Sequence, residues 1–241
     1  MFPDDLCGPK AVIAALRLRD GSRKEKLDRC LREAEICADG GVDALLIAGD
    51  RFTAPEELAS ALELLRGAPC PLGVSAGGDF FKSWQLAQRF DAAFVLVSSV
   101  AGHLRREDDG AYADRLAACR AGSKIQVIGG VRFQQQPILS GRPWAEDLRL
   151  GMGRCDAVAV SGSGGGRETP TGKIRRFRAV AGAFPLVAAG GMTAATLGEK
   201  LAEADAVLVS GALRDTGRDS GRVDAGRVKA VMREAARLRD R

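Results

Sequence analysis

Histidine is almost missing from this 241-residue chain, where His103 stands alone. A zinc centre built on several histidines is thereby excluded, and the six cysteines (Cys7, Cys30, Cys37, Cys70, Cys119 and Cys155) contain no CxxC pair and no ligand-like spacing. Most lie among small or apolar neighbours, as buried free thiols of a reducing, cytosolic compartment do. No run of 18 apolar residues occurs, so no transmembrane helix is expected. The opening MFPDDLCGPK lacks the basic start and long apolar stretch of a signal peptide. The first βα turn, RDGSRK, has a single glycine and cannot imitate a GxGxxG dinucleotide fingerprint. A GxSxG elbow is also missing: in a frame centred on Ser163, Ser161 stands where glycine is needed, and no histidine follows to complete a triad. Lys124 falls at the start of its strand, so no Schiff-base lysine is evident. Aromatic residues are few and do not alternate with the densest basic cluster, Arg167, Lys173, Arg175, Arg176 and Arg178. With a net charge of only +5, nucleic acid is not an expected partner.

What is present is a series of short apolar runs that end in small residues. Eight strand candidates are read at 11–18, 42–48, 71–75, 92–98, 124–130, 156–160, 185–189 and 205–209, each followed by a helix-length segment. Ser22 with Glu25 reads as a capping box for the first helix, and Thr53 with Glu56 as one for the second. In the last helix Val228, Val231, Met232 and Ala235 fall on one face. Eight βα units in about 250 residues predict one domain over 1–241 with an α/β (βα)8 TIM-barrel fold. Aspartates recur at the strand starts, at Asp43, Asp156 and Asp205, where a barrel uses them for stability rather than chemistry.

In such a barrel the residues after each strand converge on one mouth. The last three strands end in glycine-rich turns, whose backbone N–H groups suit an anion. Ser163, Gly164, Gly165, Gly190, Gly191, Ser210 and Gly211 are therefore the phosphate-binding candidates. Arg17, Arg132 and Arg214 are candidates to clamp a substrate phosphate or carboxylate. Arg51, Ser98, Ser99 and Asp215 also follow strands. Asp50 and Asp79 each follow a glycine at the end of adjacent strands and are the acid–base candidates, with helix capping as the competing role. No metal or cofactor is assigned, and magnesium held by one of these aspartates with a substrate phosphate stays open.

GGVDALLIAGDRF (40–52), PLGVSAGGD (71–79), FVLVSSVAG (94–102), CDAVAVSGSGGGRETP (155–170), FPLVAAGGMT (184–193) and ADAVLVSGALRDTGRDSGRVDAGRV (204–228) together resemble the BtpA/SgcQ family, also called photosystem I biogenesis protein BtpA-like. The resemblance runs over nearly the full length and implies a TIM barrel. The chain departs from the family pattern at several polar positions. Ala48 and Gly49 replace a Glu-Asn pair, Arg132 lies where Asp, Lys and His are usual, and Arg214 corresponds to a lysine. One branch of the family is linked to photosystem I accumulation at thylakoid membranes, and another sits among sugar-utilisation genes.

Two readings follow. One is a phosphate-ligand-binding barrel acting on a small phosphorylated sugar or nucleotide-like metabolite. The other is a non-catalytic assembly or regulatory factor with a degenerate site, in peripheral contact with a membrane. Homo-oligomerisation through outer helices is open in both.

Overall fold

The computed structural model describes residues 2, 8–133, 136–164 and 167–239. Strands and helices alternate throughout: β1 (Ala11–Arg17), α1 (Arg23–Asp39), β2 (Ala44–Gly49), α2 (Pro55–Leu64), β3 (Leu72–Ala76), α3 (Phe80–Phe90), β4 (Phe94–Ala101), α4 (Arg106–Arg120), β5 (Gln126–Val131), α5 (Trp144–Met152), β6 (Ala157–Ser161), α6 (Thr171–Ala181), β7 (Leu186–Ala189), α7 (Ala194–Glu203), β8 (Ala206–Val209) and α8 (Ala225–Arg239). A 3-10 turn, Gly211–Leu213, follows β8. The strands pair in parallel, each with its sequence neighbour, and β8 closes on β1 through Ala11–Ala206 to Ala14–Val209. The molecule is a (βα)8 TIM barrel.

Strand alternation builds two cores. Ala11, Ile13 and Ala15 of β1 join Ala44, Leu46, Phe94, Ile128, Ala157, Ala159 and Val187 inside the barrel. Val12, Ala14, Leu16, Leu45 and Ile47 face outward and pack with the helices, including Val228, Val231 and Ala235 of α8. The interior is alanine-rich, and Phe94 fills it because β3 leaves room. A Cβ on Gly73 would lie 2.2 Å from the Phe94 ring.

The recurrent aspartates close the bottom. Asp43, Asp156 and Asp205 each accept a 2.7 Å hydrogen bond from a backbone N–H near the start of a neighbouring strand, at Val12, Val127 and Leu186. Each also meets an arginine, Arg239, Arg120 and Arg178 respectively. Three strand amides are thereby satisfied by charged acceptors.

Local caps follow the sequence in part. Ser22 and Glu25 make the expected capping box on α1. Thr53 and Glu56 do not: α2 starts one residue later, at Pro55, and its Ala54 cap offers no side-chain acceptor. Thr53 is recruited instead to the β2 turn, where its hydroxyl reaches Leu18 O at 3.2 Å and also bonds Asp50.

Cys30, Cys37 and Cys155 are buried free thiols, Cys70 and Cys119 are free and half-buried, and Cys7 lies outside the described residues. Burial pushes each of the three buried thiols up from an ordinary 9.0 to about 12, with the Glu33 carboxylate adding to the shift at Cys30 and Cys37, and Asp156 at Cys155. The native state thus holds their protons more tightly than the unfolded chain. Their contribution to stability is full below pH 9.0 and is lost between there and about 12. Iodoacetamide at about pH 8.5 is expected to leave these three unmodified in the native chain and to alkylate them in urea. Peptide mass spectrometry checks this, and rapid native labelling of any of the three contradicts their burial.

Candidate functional site

A cavity of about 490 Å³ opens at the carboxyl ends of the strands. Its floor is aliphatic, from Ala15, Leu46, Ala48, Leu96, Ala189 and Leu208, and its walls come from Arg17 at the end of β1 and from the segments after β2, β3, β7 and β8, together with Phe133 and Gln136. Ser75 and Ser98 bring hydroxyls up from β3 and β4.

The β7–β8–β1 side carries the anion-type features. Gly190 and Gly191 adopt φ of +95° and +66°. Gly191 is pressed so closely against the β6 loop that a Cβ would lie 2.1 Å from the Glu168 backbone nitrogen. Only glycine fits both demands there. Ser210 continues the inward parity of Ala206 and Leu208, and its hydroxyl oxygen is buried with no hydrogen-bond partner among the described residues. Gly211 lines the cavity beside it. Arg17, at the inward end of β1, supplies a guanidinium; its Nε is 3.1 Å from Asp219 Oδ2, yet buried without an aligned hydrogen bond. The pairing is thus electrostatic and leaves a directional donor unused.

Of the two candidate acids, Asp50 lines this cavity and Asp79 is not among its described lining residues. Asp50 Oδ1 accepts from the Phe52 and Thr53 amides at 2.8 and 3.0 Å and from the Thr53 hydroxyl at 3.1 Å. Slight burial pushes its pKa up, but these hydrogen bonds outweigh it and the net direction is below the usual carboxylate value. Asp79 is the N-cap of α3 and accepts from Lys82 N at 2.9 Å.

The three arginines part company. Arg17 is in the cavity wall. Arg132 has a left-handed φ of 49° and turns to the buried Asp147, 2.9 Å from Nε, and to the Arg142 carbonyl. Arg214 is 3% exposed and grips both oxygens of Glu33 on α1 at 2.7 and 3.0 Å. Closure of β8 on β1 therefore does not bring Arg17 and Arg214 to one anion, because Arg214 is buried against Glu33 while Arg17 lines the cavity. Ser163 and Gly164 lie in the β6 loop and are not among the described lining residues, and Gly165 falls outside the described residues.

His103 is half-buried edge-on to Tyr112, and burial pushes its pKa down. The basic cluster after β6 is largely engaged: Lys173 reaches the Ser161 carbonyl, Arg175 pairs with Glu203, Arg178 with Asp205, and Arg176 stacks on Trp144.

Sequence reasoning overlooked Ser75, Phe52 and Asp219. Ser75 could have been found from strand parity. Phe52 sits beyond the strand in a turn whose shape depends on Asp50 and Thr53. Asp219 lies in the long loop after β8 and gave no signal.

The sequence model of the BtpA family matches residues 19–237. No curated protein matches the chain in sequence. Among solved structures, phosphoribosyl anthranilate isomerase from Thermus thermophilus is 18% identical, with a TM-score of 0.60 over 95% of this chain and 99% of that one. Thiamine phosphate pyrophosphorylase from Pyrococcus furiosus is 14% identical, TM-score 0.63, covering 95% and 96%. 3-Hexulose-6-phosphate synthase from Salmonella typhimurium is 18% identical, TM-score 0.62, covering 94% and 99%. At these identities the likeness is one of fold. Among the described residues no helix is long and apolar enough to cross a membrane, and no group of three or more His, Cys, Asp or Glu is arranged to hold a metal ion.

Proposed function

This chain belongs to the BtpA family, and from that premise we propose that its barrel mouth binds the phosphate group of a small phosphorylated metabolite. The observation that carries the reading is the unpartnered Ser210 hydroxyl beside the positive-φ Gly190–Gly191 turn, with the Arg17 guanidinium on the adjoining strand. A buried hydroxyl without a partner is costly, and a phosphate oxygen would satisfy it. The names of three structural neighbours, each of which contains a phosphorylated compound, agree with this reading. Ser163 and Gly164 are proposed as the outer β6 side of the same cradle.

The mouth holds few groups that could carry turnover. Among the described lining residues, the titratable side chains are Arg17, Asp50, Arg51 and Asp219. Asp50 is the carboxylate we assign to proton transfer, yet its three hydrogen bonds favour the ionised form and make it a weak base. Asp79 would have to leave its helix cap to assist. That scarcity favours the second reading, a ligand-binding factor that does not turn its ligand over.

Calorimetric titration with inorganic phosphate tests the site. Wild-type protein is expected to saturate, and Ser210→Ala to bind about three- to tenfold more weakly, the worth of one hydrogen bond. Absence of phosphate binding at millimolar concentration, or equal affinity in the variant, refutes the assignment.

A further inference from the structure

The geometry points to a ligand whose phosphate is joined to a planar, unsaturated ring rather than to a polyhydroxylated chain; this rests on the phosphate reading above. Phe52 lines the cavity and is 79% exposed, the highest figure among the described large hydrophobic residues left in water. The backbone that presents it is anchored, since its amide donates to Asp50 Oδ1 and the following Thr53 hydroxyl is tied to Leu18 O. The Arg51 guanidinium carbon stands 4.7 Å from the Phe52 ring centroid. From the other side the β3 turn abuts Arg51, whose backbone would be 3.4 Å from a Cβ on Gly77. Arg51 makes no ion pair among the described residues. Two flat groups, one aromatic and one guanidinium, are thus held together on the β2 lip of the cavity, and both stack well on π systems.

Position selects the chemistry. β2 is the neighbour of β1, so this shelf adjoins the strand that carries Arg17. The floor between them is Ala15, Leu46 and Ala48, none of which offers a side-chain partner for a sugar hydroxyl. The Ser75 and Ser98 hydroxyls are farther round the barrel, on β3 and β4. Asp50, the carboxylate nearest in sequence, holds its own turn through Oδ1, which accepts three hydrogen bonds. A planar ring a few bonds from the phosphate would bury more of the exposed Phe52 face than a polyhydroxylated chain, whose hydroxyls must keep their hydrogen bonds.

Titration of the whole chain with inorganic phosphate, phenyl phosphate and ribose 5-phosphate separates the outcomes. Phenyl phosphate is expected to bind about tenfold more tightly than ribose 5-phosphate. Phe52→Ala should bring that ratio close to one, and Phe52→Trp should preserve or raise it. Because the side chain is exposed, thermal melting should confirm that both variants fold. Equal affinity for the two esters, or an unchanged ratio in Phe52→Ala, overturns the ring assignment while phosphate binding itself stands. Failure of all three probes to bind overturns both readings.

Discussion

Replacing Arg17 by methionine is expected to weaken inorganic phosphate binding by about 10- to 100-fold, the range for losing a charge-assisted hydrogen bond. Arg17 is the cation at the end of β1, beside the β8 turn that carries Ser210 and Gly211. Methionine keeps most of the aliphatic stem, so the wall stays packed while the charge goes. Asp219 supplies the opposite test. Its carboxylate is 3.1 Å from Arg17 Nε and partly neutralises the guanidinium that the phosphate must meet. Asp219→Asn is therefore expected to strengthen phosphate binding several-fold. Both effects should shrink as salt is raised, because the pair is partly exposed. Calorimetry at two ionic strengths reads all of this. A methionine variant that binds like wild type removes Arg17 from the site. An asparagine variant that binds more weakly makes Asp219 a support for Arg17 instead of a competitor.

The parity of β1 explains why Arg17 could be read ahead of the structure. Residues 11, 13 and 15 are small or aliphatic and face the barrel axis, so 17 must face the mouth. The same counting brings up Ser210, two residues beyond Leu208. The fold was legible for a related reason: eight apolar runs at regular spacing leave little choice of topology, and the bottom aspartates repeat at three of them. Parity fails where the backbone leaves the strand. Arg132 follows β5 at a left-handed φ, which swings it to Asp147. Arg214 follows a 3-10 turn, not a strand, and no alternation rule reaches it. Asp50 and Asp79 look alike in sequence, each after glycine at a strand end. They differ because Asp50 closes a turn against Thr53 within the mouth, whereas α3 begins at once after Asp79 and claims its carboxylate. Side-chain competition of this kind depends on where a helix starts, which is the least regular property of a βα turn.

Arg214→Met is expected to cost about 3–5 kcal/mol of folding stability, because it leaves the Glu33 carboxylate buried without its partner. Glu33 is 4% exposed and Arg214 is 3% exposed. Besides both Glu33 oxygens, the guanidinium donates to the Gly221 carbonyl at 2.7 Å. It therefore ties α1 to the long loop after β8, two segments 181 residues apart, on the seam where the last strand closes on the first. For a chain of this length the loss corresponds to a melting-temperature fall on the order of 10 °C. Arg214→Lys should also be destabilising, since an ammonium cannot span both oxygens and the Gly221 carbonyl in the same plane. The double variant Glu33→Leu with Arg214→Met separates pairing from packing. With both charges removed the desolvation penalty is gone, and much of the stability should return. Urea denaturation of the two single variants and the double variant gives the coupling directly. If Arg214→Met unfolds at the wild-type midpoint, the pair is not what fixes the β8 loop. If the double variant is as unstable as the single, the guanidinium's contact with Gly221 carries the closure, and the seam is held by a backbone carbonyl more than by the opposing charge.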